Sequence, residues 1–305
     1  MTHHQPPPQV DEALRRRLTA RFGDEIQSWL DRLPPVLIAL ADRWQLEFGL
    51  FIPDGSMSAV IRCQMCDGRP AVLKLCPDGA RLANEAAALA GWATVHVPSV
   101  FAVDQSLGAL LIEAIEPGTS LTASQAYPSG HSIAELMNSL HTHEVPGLSF
   151  PSVSQRIEYL FESWERARRL RAEWVQIVPA ELFERGRRLA IGLANDASPT
   201  VLLHGDLTPR NILDGGNQRG LVAIDPAPCL GDATFDAVDL LLWQADSAEA
   251  IVKRAELLAA ATGLNANRLV DWCTAFAGMV AEEVVVAVGT SSKHIQTLLT
   301  LATQA

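Results

Sequence analysis

No apolar run in this 305-residue chain reaches the ~18 residues needed to cross a bilayer. The opening MTHHQPPPQVDEALRRRL also lacks the apolar stretch of a secretory leader. A cytoplasmic protein with no membrane partner is expected. Positive charge is scarce as well: 24 Lys and Arg stand against 35 Asp and Glu, a formal charge of −11. That balance argues against a nucleic-acid-binding surface and is compatible either with a cationic small substrate or simply with solubility. Cysteines number five, an odd count that excludes a fully paired disulfide framework and fits a reducing compartment. Cys63 and Cys66 form a C-x-x-C, but no second pair follows at zinc-site spacing, and in a continuous strand positions three apart face opposite sides. They read as structural thiols. Repeats and low-complexity tracts are absent.

What is present is an ordinary globular composition, 48% hydrophobic and 19% charged. The length exceeds what one core usually sustains, so two lobes are expected. After a Pro-rich start, VDEALRRRLTARFGDEIQSWLDRL and PPVLIALADRW carry helical spacing, which predicts two helices joined near Pro34-Pro35. LEFGLFIPDGSMSAVIRCQMCDGRPAVLKLC is rich in strand formers and punctuated by Asp54-Gly55 and Asp67-Gly68, which predicts about three antiparallel strands. ARLANEAAALAGWA returns to helical spacing, and PSVFAVDQSLGALLIEAI predicts two more strands around Ser106–Gly108. Pro117 and Gly118 mark a handover. Helices are then expected over 129–144, 153–176 and 179–195, the last two with Arg and Glu along a solvated face. Two short strands, VLLH and LVAID, interrupt before the chain turns helical to its end.

Those two strands frame the stretch that carries chemistry. His204-x-Asp206-x-x-x-x-Asn211 is followed after fourteen residues by Asp225, at the end of the apolar run LVAI. The first three positions would match by chance about 0.01 times in a chain of this size. Phosphoryl transfer explains the grouping, because a base must receive a hydroxyl's proton and divalent cations on the phosphates need hard oxygen ligands nearby. Asp206 suits the first task; Asn211 and Asp225 suit the second.

This pattern resembles the kinase catalytic loop, with Gly205 where protein kinases have Arg and IDP where they have D-F-G. Both departures are similar to the aminoglycoside phosphotransferase family. HGDLTPRNIL, LVAIDPAPCLGDATFDAVDLL and DRWQLEFG resemble its streptomycin 6-phosphotransferase and hydroxyurea phosphotransferase branch. The resemblance implies an α+β, two-lobed protein-kinase-like fold: a nucleotide-binding lobe over 1–115 with an antiparallel sheet, and a larger, mainly helical lobe over 116–305. It implies ATP and Mg2+ as cofactors and a small-molecule hydroxyl acceptor; no protein partner is evident. By the same resemblance Asp206 is the general base, Asn211 and Asp225 hold metal, and Lys74 in AVLKL takes the α- and β-phosphates, oriented by Glu85. Gly55, Ser56 and Ser58 occupy the phosphate-covering hairpin position, and the backbone of Glu113, Ala114 and Ile115 faces the adenine edge. Asp236 and His204 are implied to be scaffold residues bracing the loop.

Other groups take plainer readings. His141 and His143 end a helix and have no third ligand nearby. Glu282 and Glu283, with Asp271, either belong to the last helices' packing and surface or line a pocket for a cationic substrate. Only ten residues separate Asp225 from Asp236, too few for a protein kinase's activation segment. Two alternatives to an aminoglycoside kinase remain: a kinase of another small metabolite (hydroxyurea, a sugar, an amino sugar or an amino alcohol), and a nucleotide-binding pseudoenzyme.

Overall fold

The computed structural model describes residues 7–53, 57–141, 150–196, 199–288 and 292–304. They form two compact units, one running to Ala93 and including Val97–Glu116, the other holding Thr94–His96 and the chain from Pro117.

The first unit opens with Glu12–Phe22 (α1), capped by Asp11, whose carboxylate accepts the Leu14 amide at 2.7 Å. The chain turns at Gly23, with φ at 81°, and enters Gln27–Trp44 (α2). The break between the two leading helices therefore falls at Gly23, and Pro34 and Pro35 lie inside α2. A proline inside a helix costs about 3 kcal/mol. Here Leu30, Leu33, Leu37 and Leu40 keep helical register straight across the prolines, and all are buried. The prolines themselves are exposed, as is Asp31, one of the two residues whose carbonyl loses its donor; the other, Leu30, is buried.

Strands Leu46–Phe51 (β1), Ala59–Met65 (β2) and Pro70–Leu75 (β3) follow, then helix Gly79–Trp92 (α3) and strands Val100–Asp104 (β4) and Ala109–Glu113 (β5). They make one antiparallel five-stranded sheet in the order β1-β2-β3-β5-β4. The β2–β3 turn uses Gly68 at φ 84°, as its Asp-Gly signal requires. The α2 leucines pack with Phe48, Ile61, Leu73 and Leu111 into the unit's core. Cys63 sits in that core, its thiol pushed up to about 12 by burial, whereas Cys66 is exposed in the turn.

The second unit begins with Leu121–Ser124 (α4), Gly130–His141 (α5), Val153–Leu170 (α6), Ala172–Ile177 (α7) and Ala180–Asn195 (α8). The helix expected over 153–176 is two, divided at Arg171, whose φ of −135° leaves the helical region. Four three-residue strands come next: Val201–Leu203 (β6), Ile212–Asp214 (β7), Leu221–Ala223 (β8) and Cys229–Gly231 (β9). β6 pairs with β9 and β7 with β8, both antiparallel. Helices Val238–Leu242 (α9), Ala248–Thr262 (α10), Ala266–Val288 (α11) and Lys293–Ala302 (α12) complete the unit, with α11 packed against α8, α9, α10 and α12. No helix among the described residues is long and apolar enough to cross a membrane.

Candidate active site

In the second unit the two strand pairs act as a clamp on the loop between them. The chain leaves β6 at Leu203, passes through residues 204–211, and enters the second strand pair as β7, while Asp225 follows the end of β8. The Ile224 amide donates to the Asn211 carbonyl at 2.8 Å, tying the loop's exit to the segment that bears Asp225.

The loop's entrance is fastened by one buried carboxylate. Asp236 accepts the His204 amide at 2.7 Å, the Gly205 amide at 2.8 Å and His141 Nε2 at 2.9 Å. Burial alone would raise this carboxyl, but the hydrogen bond and charge of His141, the neighbouring His204 and the Gly205 amide together hold it below the ordinary range. His204 is fully buried, its Nε2 on the Ile224 carbonyl at 3.0 Å, and burial depresses its pKa so that it stays neutral. His141 thus serves the scaffold; His143 lies outside the described residues. Gly205 is at φ 72°, and a Cβ there would sit 2.1 Å from the Ala227 carbonyl oxygen. The departure from Arg at this position is therefore a steric requirement of this loop.

Asp206 presents a carboxylate about one-third exposed (35%). Its Oδ2 accepts from Asn211 Nδ2 at 3.1 Å, and the same Nδ2 donates to the Asp206 carbonyl at 2.9 Å. Asn211 is buried with its amide nitrogen committed to Asp206, which leaves Oδ1 as the acceptor for a cation. Asp225 adopts φ 58°, the left-handed conformation that aspartate tolerates better than most residues. Asn211 and Asp225 offer hard oxygens, the donor set that Mg2+ takes from protein when phosphates and water complete its shell. The donor set fits the expected metal.

A group that the sequence reading assigned to a solvated helix face also belongs here. Arg156 on α6 donates from Nε to the Gly205 carbonyl at 2.9 Å and from Nη2 to Asp206 Oδ1 at 3.1 Å, with only 10% of its side chain exposed. Nothing in the spacing of charges along α6 separates Arg156 from its exposed neighbours.

Asp206 also forms part of the wall of a cavity of about 100 Å³ within this unit, shared with Trp164, Thr208, Arg210, Asp239, Phe276 and Glu283. Arg210 pairs with Glu283 at 2.6 Å, whereas Asp239 has no hydrogen bond or ion pair to its side chain among the described residues. Of the three acidic residues considered for a cationic substrate, Glu283 alone lines this cavity. Glu282 is fully buried in an ion pair with Arg168, and Asp271 is exposed elsewhere on α11.

In the first unit Lys74 lies on β3, between Val60 of β2 and Leu110 of β5, and its ammonium is paired with Glu85 of α3. Both side chains are 5% exposed, so the pair is buried. Glu85 falls on the inward stripe with Leu82, Ala86 and Leu89. Ser58 is buried just before β2, while Gly55 and Ser56 lie outside the described residues. At the end of β5 the Glu113 amide is bonded to the Ser99 carbonyl at 2.9 Å and the Ala114 amide to the Pro70 carbonyl at 3.3 Å. Of this trio, Ile115 keeps an amide without a hydrogen bond among the described residues.

One unit thus fixes a buried cation on a sheet, and the other fixes a carboxylate beside hard oxygens in the wall of a cavity. With this fold, that division defines a protein-kinase-like phosphotransferase. Residues 43–285 match the family described as aminoglycoside/hydroxyurea antibiotic resistance kinase, and the chain belongs to that family. Its class is that of a small-molecule, ATP-dependent kinase. It is 25% identical over 289 residues to the streptomycin 6-kinase of Streptomyces griseus, covering 87% of each chain. The choline kinase LicA of Streptococcus pneumoniae has a similar fold, with a TM-score of 0.57 at 13% identity, over 88% of this chain and 96% of that one. An aminoglycoside phosphotransferase solved with ADP and hygromycin B aligns with a TM-score of 0.56 at 15% identity, over 88% and 98% of the two chains.

Proposed function

We propose that this kinase transfers the γ-phosphoryl group of ATP, with Mg2+, to a hydroxyl of a cationic aminoglycoside, and that the acceptor is streptomycin, modified at its carbon-6 hydroxyl. The observation that carries this reading is the acidic lining of the cavity: a proton acceptor, Asp206, and an unpaired carboxylate, Asp239, share its wall, and its volume of about 100 Å³ suits one guanidinium end of the acceptor and not the whole molecule. Streptomycin brings guanidinium groups, which carboxylates bind in bidentate fashion. The similarity to streptomycin 6-kinases over 87% of the chain supports the same acceptor.

In this mechanism Asp206 takes the acceptor's hydroxyl proton as the new O–P bond forms and the bond from the γ-phosphorus to the β-phosphate oxygen breaks, releasing ADP. Asn211 Oδ1 and the Asp225 carboxylate would hold Mg2+, which supplies charge neutralisation at the β- and γ-phosphates. Lys74, steadied by Glu85, holds the α- and β-phosphates. The Ile115 amide meets an acceptor nitrogen on the adenine edge, and Gly55, Ser56 and Ser58 cover the phosphates.

The test is mass spectrometry of streptomycin incubated with the protein, ATP and Mg2+, where one added phosphoryl group is expected. No phosphorylated streptomycin, with product on hydroxyurea, a hexosamine or choline instead, would replace the acceptor and keep the chemistry. Metal-dependent ATP binding with no product on any of these would identify a pseudoenzyme and remove the reading.

A further inference from the structure

We infer that Arg156 is a positioning residue for phosphoryl transfer, holding the Asp206 carboxylate in the orientation that receives the acceptor's proton; the inference rests on the base role proposed for Asp206. A single guanidinium bridges two consecutive residues of the loop, the Gly205 carbonyl and Asp206 Oδ1. Asn211 Nδ2 holds the other carboxylate oxygen, Oδ2. Gripped at both oxygens from opposite partners, the carboxylate cannot rotate about its last torsion without breaking a hydrogen bond. Each oxygen retains a further acceptor site for a substrate hydroxyl.

The rest of α6 is built to keep Arg156 where it is. Ser152 and Gln155 close a reciprocal capping box at the helix start, with bonds of 3.2 and 2.8 Å. The Leu230 amide donates to the Pro151 carbonyl at 2.8 Å, which ties the start of α6 to β9, the partner of β6. Val153 packs so closely on Gly231 that a Cβ at 231 would meet it at 2.4 Å. The strand that launches the catalytic loop and the helix that carries Arg156 are thus tied together through β9. The guanidinium is further supported by the Tyr159 ring, 5.6 Å from its centroid. An arginine this near a helix N-terminus works against the helix dipole, typically by ~0.3–1 kcal/mol. Its contacts with the loop offset that cost, so the placement serves the loop and not the helix.

A double-mutant cycle tests the inference, because a residue acting through Asp206 loses its effect once Asp206 is gone. ADP release is measured with ATP and Mg2+, both with streptomycin and with water as acceptor, for Arg156→Gln, Arg156→Lys, Asp206→Asn and the Arg156→Gln/Asp206→Asn double variant. Arg156→Gln should lower kcat by about 10- to 100-fold, the scale of a small misplacement of a reacting group, with the KM for ATP within about twofold of wild type. Arg156→Lys should recover part of kcat, since an ammonium keeps the charge but lacks the planar fork that spans two acceptors. In the Asp206→Asn background, Arg156→Gln should cost nothing further. Independent, multiplicative losses, or a wild-type kcat in Arg156→Gln, would overturn the inference while leaving the base role intact. Wild-type turnover in Asp206→Asn would remove the base role itself. If Arg156→Gln fails to fold, the Arg156→Lys cycle gives the same discrimination.

Discussion

Asp239→Asn should make the protein more stable at neutral and alkaline pH and leave it nearly unchanged in acid. The Asp239 carboxyl is raised from 3.8 to about 7, first by burial and then by the negative charges of Glu283 and Asp206, against which Arg210 and Arg156 pull only partly. Between those two values the unfolded chain releases this proton while the folded chain keeps it. The unfolded state then binds fewer protons, so stability falls as pH rises through the window. A rise of about three units at ~1.36 kcal/mol each sets a ceiling of about 4 kcal/mol. Asp239 is only half-buried and faces the cavity, so water softens the penalty, and about 1–3 kcal/mol is expected. Urea unfolding of wild type and Asp239→Asn at steps from about pH 4.5 to 8.5 reads the effect. The difference between them should grow from near zero to its full value by about pH 8. A difference of constant size across the range, or a wild type that gains stability relative to the variant as pH rises, would refute the reasoning. If the cavity takes a cationic acceptor, streptomycin binding should tighten over the same window, and Asp239→Asn should abolish that pH dependence.

Three further outcomes follow from the geometry. Lys74→Ala should raise the KM for ATP and lower kcat together, and Glu85→Gln should do so more weakly, because one cation serves both binding and alignment; unaltered ATP kinetics would take the pair out of the site. Asp225→Ala should abolish Mg2+-dependent turnover and Asn211→Ala should weaken it less, which a Mg2+ titration of each variant reads directly; an unchanged metal requirement in Asp225→Ala contradicts the role. Glu282→Leu should cost about 3–5 kcal/mol in denaturant unfolding by stranding the buried Arg168, whereas Arg168→Met/Glu282→Leu should recover most of that loss; equal losses in both would show that the ion pair is not what the site depends on.

The grouping of the loop residues was legible in the sequence because its parts are local. His204, Asp206 and Asn211 occupy eight residues, and Asp225 ends a recognisable strand. The sheet was legible too, since its first three strands lie in a stretch rich in β-branched and aromatic residues and the β2–β3 turn carries Asp67-Gly68. Strands β7 and β9 were not: they are as short as β6 and β8 but, unlike those two, do not sit in a continuous apolar run. The helix across Pro34-Pro35 escaped for the opposite reason: a strong local signal, proline, lost to a leucine stripe whose worth depends on the sheet beneath it. The cavity was the least visible part. Its wall joins Trp164 of α6, Asp239 of α9 and Glu283 of α11, residues 44 to 119 positions apart that only packing assembles. Arg156 and Arg168 look alike along α6, yet one grips the catalytic loop and the other a buried glutamate.

The triple hold of Asp236 on His204, Gly205 and His141 bears on how such a protein could diversify. The loop's entrance is anchored through two backbone amides and a buried carboxylate, and although Gly205 and Asp236 also line the cavity, its apolar wall includes Leu160, Trp164, Phe276, Met279 and Val280 from α6 and α11. On the acceptor site proposed above, exchanging those apolar side chains changes the size and shape of the cavity without touching any donor or acceptor that aligns Asp206. Selection for a new substrate can therefore act on one set of positions while the reactive geometry is inherited unchanged from the other.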